Sequence, residues 1–175
     1  MEEKLYFAYG SNINLEQMAL RCHAAQIVGP VILENYELLF RGNARGNGVA
    51  TIAPKTGSQV YGLLWRITPA CERSLDLYEG YPRLYQKEPV TVRDSTGQTL
   101  SVMAYVMTGN ELWRAPTMPS ELYYKGIQDG YRQNGLPTTE LKKAWEHCAK
   151  EVDQATRHVN RMFAERPKRK SGHNR

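Results

Sequence analysis

Little in this chain of 175 residues points to metal, disulfide or membrane chemistry. It holds three cysteines, Cys22, Cys71 and Cys148, far apart in sequence. That usage fits free thiols in a reducing compartment better than a disulfide framework or a zinc site. No carboxylate–histidine cluster has metal-ligand spacing, so no metal site is expected. No apolar run approaches the roughly 20 residues needed to cross a bilayer. The start, Met1-Glu2-Glu3-Lys4, is acidic and short, unlike a secretory leader. A cytoplasmic protein without a membrane partner is the expectation. The phosphate loop GxxxxGK[ST] is missing, and Ser11 does not stand in a G-x-S-x-G nucleophile elbow.

The body of the chain also lacks an excess of either charge. The formal net charge is +5, but Arg166, Lys168, Arg169, Lys170 and Arg175 supply five positive charges with no acid among them. Taking those five from 23 basic residues leaves 18, against 18 acidic ones. The basicity therefore belongs to a solvated tail at 166–175, and the domain is placed at 1–165. A nucleic-acid partner would rest on that tail alone and is disfavoured.

What is present is a run of strand signals up to residue 108. Segments 5–9, 27–31, 36–40, 49–53, 60–67, 85–92 and 100–108 are β-branched, aromatic or apolar, bounded by turn residues. Lys55-Thr56-Gly57-Ser58 and Asp94-Ser95-Thr96-Gly97 read as hairpin turns. Short connections between such strands favour a small, closed or nearly closed mixed β-barrel, an α+β fold, over a doubly wound sheet.

Four helices interrupt or follow the strands. The first begins after Asn14, an N-cap, with Leu15, Met18 and Cys22 on one face. The second begins at Thr68-Pro69, passes Leu75 and Leu77, and stops at Gly80. The third begins near Ser120, carries Tyr123, Ile127 and Tyr131 on one face, and ends at Asn134-Gly135. The fourth runs from about Thr138 to about Phe163. Leu141, Trp145, Cys148, Val152, Ala155, Val159 and Met162 form a heptad seam along it. Packing of that seam on its own barrel is the plain reading, and a helical contact in a homodimer is the alternative.

Two stretches carry chemistry. In "YFAYGSN" a strand runs through Tyr9 into Gly10, Ser11 and Asn12 and then into a helix. Such a turn aims backbone N–H groups at one spot and binds a carboxylate or phosphate without a charged side chain. Taken alone, it reads first as a plain connection, since many Gly-Ser-Asn turns bind nothing. In "LDLYEGYPRLY", Glu79 stands at a helix end, one residue before Gly80. The negative end of the helix dipole and the neighbours Leu77, Tyr78, Tyr81 and Tyr85 would raise its pKa toward neutrality. A raised carboxylate can take and return a proton; an exposed helix-end glutamate would do nothing. Asp76 reads as a cap or a solvent-facing acid. His23 next to Cys22, and His147 next to Cys148, point apart on their helices and make no nucleophile–base pair. Tyr123 alone reads as a core aromatic, and 42–48 as a mobile connection.

"YFAYGSN", "GVATI", "VYGLLWRI", "SLDLYEGY", "AYVMT" and "PSELYYKGI…QNGLP" occur in this order. Together they resemble the γ-glutamylcyclotransferase family over residues 5–137. The resemblance implies a small mixed barrel flanked by helices. It also implies cleavage of a γ-glutamyl-amino acid or γ-glutamyl-amine to 5-oxoproline and the free amine, without metal or cofactor. It places the catalytic glutamate at Glu79, the substrate loop at Tyr9, Gly10, Ser11, Asn12 and Ile13, and a substrate-contacting tyrosine at Tyr123. Tyr85 is expected to support Glu79 from behind. Ile13 replaces the usual leucine, and Gln133 stands where glutamate is common. The helix from Thr138 and the tail lie beyond the resemblance. A non-catalytic small-ligand module of the same fold is the rival, although such a module needs no ionisable residue at position 79.

Overall fold

The alternation of apolar and polar residues in the first hundred positions builds a sheet that closes on itself. The structure, a computed structural model, describes residues 2–109 and 115–165. In chain order it contains β1 (Lys4–Ala8), a one-turn helix (Ser11–Ile13), α1 (Leu15–Arg21), β2 (Gln26–Gly42), β3 (Gly48–Ile67) and α2 (Pro69–Glu79). These are followed by β4 (Tyr85–Asp94), β5 (Thr99–Met107), α3 (Glu121–Gln133) and α4 (Thr139–Ala164). The strands form a closed barrel in the order β1-β3-β2-β4-β5. Only the closing pair is parallel, with Tyr6 opposite Met103; the other pairings are antiparallel. The mixed barrel expected from the short connections is therefore the fold. Phe7, Leu33, Leu63, Leu64, Ile67 and Met107 belong to the core on its two faces and are almost wholly excluded from solvent.

Two expectations about the strands need correction. Segments 27–31 and 36–40 are one continuous strand, as are 49–53 and 60–67. Lys55-Thr56-Gly57-Ser58 is not a hairpin turn. Glu34 pairs with Gln59, yet Tyr36 pairs with Pro54, so four residues of β3 bulge opposite Asn35. Asn35 has φ of 60° and accepts a hydrogen bond from Gly57 N at 3.1 Å. A bulge needs the same glycine and polar residues as a turn, which is why the composition misleads. The Asp94–Gly97 turn is where it was expected, with Gly97 at φ 85° between β4 and β5.

The cysteines are a further correction. Cys22 and Cys71 are not free thiols: they are joined as a disulfide, Cα to Cα 5.2 Å, across 49 residues of sequence. Cys22 follows the last turn of α1 and Cys71 lies in the first turn of α2, and the two helices pack against each other. Sequence distance hides that proximity. Only Cys148 is free, and it is buried. The thiol argument for a reducing compartment therefore rests on that residue alone.

The helix starts follow their caps. The side chains of Asn14, Thr68 and Ser120 each accept from the backbone amide three residues on. Gly80 closes α2 in the left-handed conformation at φ 67°. The seam of α4 divides. Leu141, Ala144 and Cys148 are buried against the barrel, Trp145 meets the ring of Tyr124 edge-on at 4.6 Å, and Glu151 pairs with Arg41 at 3.4 Å. From Asp153 onward, Ala155, Val159 and Met162 face solvent. Packing on the barrel thus accounts for the first half only. His147 pairs with Glu151, and His158 is exposed. The basic segment 166–175 lies outside the described residues. Among those described, no helix is long and apolar enough to cross a membrane.

Candidate active site

One mouth of the barrel opens into a cavity of about 240 Å³. Tyr9, Gly10, Ser11, Asn12, Glu79, Tyr85 and Tyr123, which the sequence singles out, all line it. They come from the turn after β1, the one-turn helix, α2, β4 and α3, so the fold gathers positions as far apart as 9 and 123. Ile13 is fully buried beneath the loop and does not line the cavity.

The loop is held from behind by its carbonyls. Gly10 O accepts from Ile13 N at 3.1 Å, and Ser11 O from Asn14 N at 3.1 Å. Trp65 Nε1 donates to Asn12 O at 3.0 Å, and Asn134 Nδ2 to Ile13 O at 3.1 Å. Four consecutive carbonyls are thus engaged, whereas the amides of Gly10, Ser11 and Asn12 find no acceptor among the described residues. Backbone donors left in this state are costly without a partner, and three in succession form an anion-binding concavity. Helix α3 supports the loop at close quarters. A Cβ on Gly130 would stand 2.7 Å from Asn14 N, so only glycine lets the helix backbone approach so near. Gln133 Oε1 accepts from Leu15 N at 2.9 Å, so glutamine accepts there just as a carboxylate would.

Glu79 is partly buried, and among the described residues its carboxylate accepts one hydrogen bond, from Asn12 Nδ2 at 3.3 Å. Burial pushes its pKa up to about 7, against the opposing pull of the Arg21 guanidinium. The residues responsible differ in part from those expected. Leu77 and Tyr81 are exposed at 86% and 41%, so they shield little. The surroundings are instead Tyr6, Tyr9, Tyr85, Tyr105 and Tyr123. Burial raises the pKa of each of these tyrosines, so they are neutral donors across the physiological range.

Their hydroxyls differ in what remains to be offered. Tyr85 donates to Ala50 O at 2.5 Å, Tyr9 to Tyr105 O, and Tyr105 to Asp76 Oδ1 at 2.5 Å. Tyr123 accepts from Ala50 N at 3.0 Å, and Tyr6 accepts from Asn12 Nδ2 at 3.0 Å. Both therefore keep their own hydrogen for another partner at the cavity. Tyr123 is thus more than a core aromatic. Asp76 neither caps a helix with its side chain nor faces solvent freely: it is partly buried and binds Lys87 Nζ at 3.0 Å as well as Tyr105.

Sequence reasoning missed Tyr6, Tyr105 and Arg21. The two tyrosines sit in strands whose apolar pattern reads as core. Arg21 reads as an ordinary cation in the last turn of a helix. Asn43 belongs to the 42–48 segment, whose composition reads as a mobile connection. It anchors the tip of the β2–β3 hairpin, accepting from Arg45 N and Asn47 N at 3.0 Å, and it lines the cavity.

The family described as "Gamma-glutamyl cyclotransferase, AIG2-like" matches residues 6–125. A bovine protein named Gamma-glutamylcyclotransferase is 35% identical over 150 residues, spanning 81% of this chain and 77% of its own length. A human protein of the same name is 36% identical over 144 residues, spanning 78% of this chain and 74% of its own. Among solved structures, one titled Gamma-glutamyl cyclotransferase superposes with a TM-score of 0.70 at 29% identity, covering 98% of this chain and 92% of the other. With the same barrel and ordered motifs, the chain belongs to the γ-glutamyl cyclotransferase, AIG2-like family of enzymes.

Proposed function

We propose that the protein converts a γ-glutamyl-amino acid or γ-glutamyl-amine to 5-oxoproline and the free amine, with Glu79 as general acid and base. The observation that carries this reading is the pairing of two features on one cavity. These are the three free amides of Gly10, Ser11 and Asn12, and a carboxylate whose pKa is pushed up to about 7.

The amides take the substrate's α-carboxylate, and no cation is needed. Glu79, ionised, accepts a proton from the neutral α-amine as its nitrogen attacks the γ-carbonyl of the same molecule. The new N–C bond closes the five-membered ring and the oxygen becomes an oxyanion. Tyr6 and Tyr123 supply O–H donors to it. The C–N bond to the leaving amine then breaks, and Glu79 returns its proton to that nitrogen. The ring closure is intramolecular, so holding the glutamyl chain folded supplies much of the rate. A pKa near 7 suits a group that works in both directions.

The test is incubation of the purified protein with a panel of γ-glutamyl dipeptides and γ-glutamyl-amines, followed by chromatography for 5-oxoproline. Formation of 5-oxoproline in step with free amine is expected. Binding without turnover across the panel overturns the reading in favour of a non-catalytic module. The loop is tested separately by product inhibition. 5-Oxoproline should compete with substrate, and its neutral carboxamide should compete poorly, because charge-assisted hydrogen bonds are roughly twice as strong as neutral ones. Equal inhibition would mean that the amides do not hold the carboxylate.

A further inference from the structure

We propose that Arg21 is a positioning residue of this site, holding the amide-bearing loop and the Asn12 side chain in register with the Glu79 carboxylate. The inference rests on the proposed function for its kinetic consequences and on the geometry alone for its structural ones.

The Arg21 guanidinium reaches across from α1 and binds four groups. Nη1 donates to Ser11 Oγ at 3.1 Å and to Asn12 Oδ1 at 2.6 Å. Nη2 donates to Gln17 Oε1 at 3.1 Å and to Tyr78 OH at 2.7 Å. The guanidinium carbon lies 3.6 Å from the centroid of the Tyr78 ring. None of these partners is a carboxylate, and the ion pairs among the described residues do not include Arg21. A partly buried cation that neutralises no partner does something other than pair charges.

Its grip on Asn12 shows what. An asparagine amide can turn over, exchanging its oxygen and nitrogen. With Oδ1 committed to the cation, Nδ2 must face the other way, where it donates to Tyr6 OH and to Glu79 Oε1. Arg21 therefore dictates which face of Asn12 Glu79 meets. It also clamps Ser11 on one side and Tyr78, the neighbour of Glu79, on the other. The planar fork does this in one group; a lysine, a single point charge, has no such reach. Its place is secured by the Cys22–Cys71 link, which ties the end of α1 to the start of α2.

The cation also acts on the proton affinity of Glu79, which it lowers. The groups facing Glu79 from the surrounding elements are Tyr6 of β1, Tyr9 just after it, Tyr85 of β4, Tyr105 of β5, Tyr123 of α3 and Tyr78 of α2. Asp76, one turn back on α2, is matched by Lys87. Arg21 is thus the one charged group acting on Glu79 among those that shift it appreciably.

Two variants separate the two roles. Arg21→Met keeps the stem and removes both fork and charge. It should raise KM about tenfold or more and move the acid limb of kcat/KM upward by about one pH unit. Arg21→Lys keeps a charge and loses the fork. It should raise KM by a similar factor while leaving the limb near its wild-type position. A folded Arg21→Met enzyme with the wild-type acid limb overturns the inference, as does an Arg21→Lys enzyme with wild-type KM and kcat. A carbon-13 NMR titration of the Glu79 carboxyl group reads the same shift without turnover. If the wild type forms no 5-oxoproline, the proposed function fails, while an unmoved Glu79 titration in either folded charge-removing variant, Arg21→Met or Arg21→Gln, sinks the role of Arg21 itself.

Discussion

Asp76 and Glu79 stand less than one turn apart on α2, in opposite surroundings. Asp76 is matched on every side: Lys87 at 3.0 Å neutralises it and the Tyr105 hydroxyl donates to it at 2.5 Å. Glu79 faces a cavity ringed by tyrosines, takes one hydrogen bond from Asn12 at 3.3 Å, and has its pKa pushed up to about 7 by burial. The first carboxylate is spent on holding α2 to the barrel. The second keeps one hydrogen bond and no ion pair among the described residues, and its raised pKa suits it to the proton transfer proposed for it. The contrast teaches that two carboxylates on one helix meet opposite electrostatic fates through their partners, and the proposed mechanism rests on the one with fewer.

The strongest way to break the comparison is Glu79→Gln, which keeps the shape and removes the proton acceptor. General acid–base groups contribute about 10²- to 10⁴-fold, so turnover of a γ-glutamyl dipeptide should fall by at least about a hundredfold. Near-normal turnover, measured in a protein with native circular dichroism, would remove Glu79 from the mechanism.

A pH profile sharpens it further. The base must be ionised in the free enzyme, so kcat/KM should fall below a limb near pH 7, about tenfold per unit. The same group leaves a thermodynamic trace. Its folded pKa lies above its ordinary value of 4.5, so between those values the native state binds more protons than the unfolded one. Its contribution to stability is then fully present below pH 4.5 and is lost as pH rises through 7. Glu79→Gln should therefore melt higher than wild type at pH 8, by about 1–2 kcal/mol after allowance for partial exposure. The gap should close toward pH 4.5. A constant gap across that range would mean that Glu79 is not buried with a raised affinity for its proton.

Asp76→Asn probes the other partner. Asparagine still accepts from Tyr105 but leaves Lys87 only its longer pair with Glu72, at 3.5 Å. Denaturant unfolding should show a loss of about 1 kcal/mol, with kcat/KM within about fivefold of wild type, roughly 1 kcal/mol in activation free energy. A hundredfold fall in kcat/KM at intact stability would make Asp76 a second acid of the reaction and end the contrast.

Much of this was legible because it is local. The caps Asn14, Thr68 and Ser120, the end at Gly80, and the turn Gly10–Asn12 are set by neighbours in sequence. Glu79 at its helix end belongs to the same class. What was illegible depends on closure of the barrel. Tyr6 and Tyr105 obey the core pattern of their strands, and nothing local tells a cavity-lining tyrosine from a packed one. Arg21 looks like a helix-end cation until Ser11, Asn12 and Tyr78 converge on it. Cys22 and Cys71 meet only after α1 and α2 dock. The bulge at Asn35 imitates a hairpin because both use glycine at positive φ.

The smallest expected effect concerns Leu77, between the two carboxylates. Its position beside Glu79 suggests shielding, yet it is 86% exposed. Successive residues on a helix point about 100° apart, so a neighbour in sequence is a poor guide to a neighbour in space. Leu77→Ser should leave the acid limb of kcat/KM where it was and change stability by no more than about 0.5 kcal/mol, as for other surface positions. The matched change is Tyr85→Leu, which removes a hydroxyl bound to Ala50 O inside the cavity wall and should disturb both quantities. If Leu77→Ser moved the limb instead, the raised pKa of Glu79 would owe its origin to the outer face of α2, and the tyrosine ring would lose its role as the source of burial.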